Sequence, residues 1–78
     1  MSFRPGELLV FRSGYSTWLY EYSNETKTNF RINAAQILIL IPAEAILLFV
    51  GFVEETYPLV LHGDQLFIGR YHVFNKFE

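Results

Sequence analysis

The chain contains no cysteine. Disulfides and thiolate metal sites are therefore excluded. It also has no cluster of basic residues, because Arg4, Arg12, Lys27, Arg31, Arg70 and Lys76 are scattered singly. Nucleic-acid binding draws most of its affinity from neutralised phosphates, so this spacing argues against a nucleic-acid partner. The five glycines are spread from Gly6 to Gly69 and form no phosphate-binding loop. No nucleophile elbow, internal repeat, heptad or low-complexity tract is present. The opening residues, Met1 to Glu7, precede an apolar patch of only four residues, Leu8 to Phe11. That is too short for the core of a secretion signal. The compartment stays open; these absences are in keeping with a cytoplasmic or virion-associated protein.

What is present is apolar and aromatic. The 78 residues are 51% hydrophobic, with eight Phe, five Tyr and one Trp, and carry a formal charge of −2. The length predicts one domain spanning residues 1–78. A chain this short buries only about 60% of its unfolded surface. Some of its aromatic rings should therefore stay exposed, and a contiguous exposed patch marks an interface.

The longest apolar stretch runs from Ile37 to Val53 and is interrupted by Pro42-Ala43-Glu44. Its surroundings, Ala34 to Val53, have the length of a membrane helix and no basic group. A carboxylate near the bilayer centre costs about 2.5–3.5 kcal/mol, and Pro42 beside Glu44 would break the helix. The residue types favour two strands instead, over 37–41 and 45–53, and no membrane span. Without polar alternation, both strands are expected to be buried on both faces. Gly51 marks a bulge or bend in the second.

The remaining elements follow from turn signals. Pro5-Gly6 opens on a turn, and residues 7–11 form a strand. Arg12-Ser13-Gly14-Tyr15 is a second turn, and residues 16–22 alternate as a strand, so the two strands should form a hairpin. Residues 23–29 are polar and read as a loop, 30–32 as a short strand, and 33–36 as one helical turn or a crossing. Glu54 to Pro58 is a charged connection. Leu59-Val60-Leu61 and Leu66-Phe67-Ile68 flank a tight Gly63-Asp64 turn, the clearest hairpin in the chain. Residues 71–74 begin a last strand. The fold class is all-β: a small barrel or sandwich of five to seven short strands, with room for one helical turn.

The order of these pieces resembles an SH3-like small barrel. Pro5-Gly6-Glu7-Leu8-Leu9-Val10 looks like the opening glycine, acid and apolar strand. After a long variable loop, Ile41 to Leu48, Tyr57 to Asp64 and Gln65 to Ile68 look like the three central strands. The resemblance covers Pro5 to Val73 and is architectural. The Ala-Leu-Tyr-Asp-Tyr run of SH3 domains that bind proline-rich peptides is absent, so that specificity does not carry over. Barrels of this kind also occur in small phage-encoded and virion proteins.

Several groupings could carry chemistry. His62-Gly63-Asp64 places an imidazole near a carboxylate, but a hairpin turn needs Gly and Asp for backbone reasons, and a metal needs at least three ligands. Ser13 or Ser16 with His62 and Asp64 makes a triad only on paper. Glu54 and Glu55 would point apart in an extended connection, which favours solvation over catalysis. Asn24-Glu25-Thr26 matches a glycosylation acceptor, but nothing signals secretion. No catalytic residue, metal or cofactor is expected.

The strongest candidate is aromatic. Trp18, Tyr20 and Tyr22 share one face of a strand, with Tyr15 just before it. Either this face covers the core, or it grips a partner. The expected function is a non-enzymatic interaction or assembly module. It would bind a protein partner, or itself as a homo-oligomer, through exposed aromatics or an open strand edge. The alternative is a nucleic-acid-binding barrel that stacks bases on these rings, with Arg12, Lys27 and Arg31 on phosphates.

Overall fold

The computed structural model describes residues 3–22 and 38–78. The expected polar loop at 23–29, the strand at 30–32 and the helical turn at 33–36 lie outside these residues. Seven strands are present: β1 (Leu8–Phe11), β2 (Trp18–Glu21), β3 (Leu38–Leu40), β4 (Leu47–Val53), β5 (Tyr57–His62), β6 (Gln65–Ile68) and β7 (Phe74–Lys76). They form one antiparallel sheet in the order β3-β2-β6-β5-β4-β1-β7. No ladder joins β3 to β7 among the described residues, so the architecture is an open all-β sheet. No helix of the described residues is long and apolar enough to cross a membrane.

Local chemistry sets each corner. Pro5 and Gly6 occupy the centre of a turn closed by the Glu7 N–H donating to the Arg4 carbonyl at 3.0 Å. Gly6 has φ +95°, the conformation that the third position of a type II turn requires and that side chains resist. β5 and β6 form the expected hairpin, with His62 opposite Gln65 across the Gly63-Asp64 turn. The β4–β5 register shifts between Phe49 and Gly51, the bulge expected at that glycine.

Register explains burial. Phe67, Val60 and Phe49 are successive partners across β6, β5 and β4, and Leu47 pairs with Leu9 on β1. These side chains share one face, which with Phe3, Phe11, Leu19, Ile41, Val73 and Phe74 makes the core. Rings close it, with Phe3 edge-on to Phe49 at 5.5 Å and Phe11 stacked on Phe74 at 5.7 Å.

Four expectations are corrected. First, β1 and β2 do not form a hairpin: β1 pairs with β4 and β7, and β2 with β3 and β6. The turn between them does form, with the Tyr15 N–H donating to the Arg12 carbonyl at 3.2 Å. The Arg12 N–H, however, is taken by the Val73 carbonyl at 2.8 Å, which commits the end of β1 to the C-terminal segment. Second, the apolar runs are not buried on both faces. Leu38 and Leu40 are exposed on β3, an edge strand of the described sheet, Val50 is exposed at the bulge, and Phe52, opposite the buried Pro58 and edge-on to Phe49, lies at the open rim of the core face. Third, Glu54 to Pro58 is not all connection: Glu54 to Thr56 turn, and β5 begins at Tyr57 with Pro58 buried. Fourth, Tyr71–Val73 is a 3-10 turn that precedes β7 rather than its first residues.

Candidate binding site: an aromatic groove on the outer face of the sheet

The two readings of the β2 aromatics are separated by one residue. Leu19 is fully buried, whereas Trp18 is 51% exposed. Alternation along the strand then puts Trp18 and Tyr20 on the outer face. Each has a leucine directly across the β2–β3 ladder: Trp18 faces Leu40 and Tyr20 faces Leu38. Leu40 and Leu38 are 58% and 46% exposed. β3 is an edge strand of the described sheet, so this apolar patch sits at a margin.

A groove of about 630 Å³ opens beside the patch. Tyr15, Trp18, Tyr20 and Leu38 line it from β2, β3 and the preceding turn, and Gly69, Arg70 and His72 line it from the far end of the chain. The β2–β6 pairing, Tyr20 to Ile68, delivers that far segment. Tyr15 stands edge-on to the His72 ring at 5.5 Å and lies beneath the Arg12 guanidinium, 5.2 Å from the ring centroid. The backbone of Trp18 is fixed by its N–H donating to Ser16 Oγ at 3.2 Å. Gly69 has no room for a side chain: a Cβ there would meet Leu19 Cδ2 at 2.7 Å and Phe74 Cζ at 2.9 Å. The floor of the groove thus rests directly on core side chains.

The groove brings together Tyr15, Trp18 and Tyr20 of the expected aromatic set. Tyr22 does not line it; beyond β2, its N–H donates to the Leu66 carbonyl at 3.0 Å. Arg12 approaches through Tyr15, and Lys27 and Arg31 lie outside the described residues. Leu38, Arg70 and His72 had no signal in the sequence, because only strand pairing brings them to β2. His62 belongs to β5 and Asp64 is exposed at the following turn. No group of three or more potential metal ligands occurs among the described residues.

Elsewhere, Glu7 is held by two neighbours. Its Oε1 accepts the Arg4 N–H at 2.7 Å, and its Oε2 lies 3.4 Å from Lys76 Nζ. The backbone hydrogen bond from Arg4 is the largest influence; joined by the weaker pull of the Lys76 charge, it outweighs desolvation and keeps this carboxyl below the usual glutamate range.

No family model, curated protein or solved structure matches the chain.

Proposed function

We propose that this protein is a non-enzymatic interaction module that binds a protein partner through the outer aromatic face of β2 and the adjoining β3 edge. One observation carries this reading: Trp18, Leu38 and Leu40 form an exposed apolar patch on paired strands, outside the core. Large aromatics flanked by aliphatic side chains dominate binding energy at interfaces. An edge strand adds unpaired backbone groups that a partner strand can satisfy. A second copy of the chain is the simplest such partner, since a small apolar domain can hide surplus surface in a symmetric contact.

The likeness to an SH3-like small barrel belongs to the same proposal, supported by the short strands and the turn order. So does its company among phage-encoded and virion proteins. The nucleic-acid alternative finds less support. Among the described basic residues, Lys76 is paired with Glu7, and only Arg70 lines the aromatic groove.

The test is selection of ligands from a displayed library on the native protein, with sedimentation of the free protein alongside. Ligands, or self-association, that are lost on Trp18→Ala while the β circular-dichroism spectrum persists would support the module. Ligands indifferent to Trp18→Ala, or none at all from a protein that stays monomeric, would refute it.

A further inference from the structure

The groove has a sign as well as a shape. Arg70 lines it, and no carboxylate does among the described lining residues. Arg12 stands just behind, over the ring of Tyr15. Neither arginine has an ion pair among the described residues, whereas Lys76 is matched to Glu7 at 3.4 Å. The chain as a whole is acidic, at −2, so this positive corner is a local feature against the net charge. A guanidinium with no acid partner among the described residues, beside an aromatic floor, offers a planar fork for a carboxylate and a surface for an apolar side chain.

Building on the interaction-module reading, we infer that the groove takes an extended acidic segment of a partner protein, with a carboxylate on Arg70 and an adjacent bulky apolar side chain on Trp18 and Tyr15. The volume of about 630 Å³ falls in the range of sites that enclose a few side chains. The segment is extended because β3, beside the groove, is an edge strand of the described sheet and pairs there only with β2. Two arginines are too few for a phosphate backbone, which needs a run of cations.

Trp18 is the only tryptophan, so its fluorescence reports the groove directly. Short random peptides displayed on phage are selected on the native protein, and the best is synthesised with its acids intact and with each acid replaced by its amide. Trp18 emission is titrated with both in wild type and in Arg70→Gln, whose exposed side chain can change without disturbing the core. The expected result is a selected sequence with an acid next to a large apolar residue. The amide peptide and Arg70→Gln should each weaken binding about 10-fold or more, with little further loss when combined. Added salt should weaken it as well.

Trp18→Ala, which has no tryptophan signal, is titrated by calorimetry. Selected peptides that are neutral or basic, with Arg70→Gln silent and Trp18→Ala disruptive, would overturn the acidic ligand and leave the aromatic interface standing. Binding that ignores Trp18→Ala, or no binding by any peptide, would remove both. Single-stranded oligothymidine that shifts Trp18 emission and is displaced by salt would replace the peptide with nucleic acid. Self-association abolished by Glu54→Gln with Glu55→Gln would replace it with a second copy of the chain.

Discussion

Trp18 and Leu40 stand directly opposite each other on β2 and β3, and both side chains are more than half exposed. Cross-strand pairs of this kind ordinarily stabilise a sheet by about 0.2–1 kcal/mol. Here the pair also leaves a large apolar surface in water at the sheet margin. Leu19, between Trp18 and Tyr20, faces the core. The contrast between neighbours defines the first prediction.

Trp18→Ala should change folding stability little, within about 1 kcal/mol, because it removes an exposed ring. It should weaken partner binding by about 2 kcal/mol or more, the scale of an interface hot spot. Leu19→Ala should do the reverse and cost about 2–5 kcal/mol of stability. Urea unfolding of both variants, followed by circular dichroism, checks the pair. A large loss of stability in Trp18→Ala would place that ring in the core.

Gly69→Ala should destabilise the protein by about 1–3 kcal/mol, because the new methyl meets two buried side chains, Leu19 and Phe74. Thermal unfolding of this variant is the check. An unchanged melting temperature would mean that the groove floor is more loosely packed than described.

The β4–β5 hairpin ends in strained backbone. Glu54 and Glu55 have φ of +53° and +61°, and the Thr56 N–H donates to the Val53 carbonyl at 3.1 Å across them. That is the pattern of a type I′ turn, which favours Asn-Gly. Left-handed backbone costs a residue such as glutamate about 1–2 kcal/mol. Replacing Glu54 by Asn and Glu55 by Gly should raise stability by about 1 kcal/mol, or about 4–8 °C in melting temperature. A lowered melting temperature would show that the glutamates make compensating contacts.

Glu7 gives a pH dependence of fixed sign. Its carboxyl is held low in the folded state by the Arg4 N–H and Lys76. A depressed folded value means the stabilisation is present above the unfolded value of about 4.3 and is lost as pH falls through the folded one. Melting temperature measured from neutral pH down through that window should fall less steeply in Glu7→Gln than in wild type. Parallel curves would remove Glu7 from the acid response.

The fold class was legible because it rests on local chemistry. Breakers, β-branched runs and the Gly63-Asp64 turn mark the strands where they lie, and Gly51 marks its bulge. Pairing was less legible. The Arg12 to Tyr15 turn forms as its residues demand, yet β1 and β2 part company because the choice of neighbour is decided by the whole sheet. The apolar run of β4 suggested burial on both faces, but the bulge between Phe49 and Gly51 leaves Val50 exposed, and Phe52 lies at the open rim of the core face. For the site, alternation showed that Trp18 and Tyr20 share a face without showing which one. The opposing Leu38 and Leu40, and Arg70 with His72, come to that face only through long-range pairing.

The central claim is that the β2 aromatic face is an outer surface open to a partner. Acrylamide quenching of Trp18 fluorescence in the dilute native protein tests it most directly, since no other tryptophan contributes. The account predicts efficient quenching in the native state, approaching that of the urea-unfolded chain, and protection once a ligand occupies the groove. A native tryptophan shielded from acrylamide in the dilute, monomeric protein would contradict it.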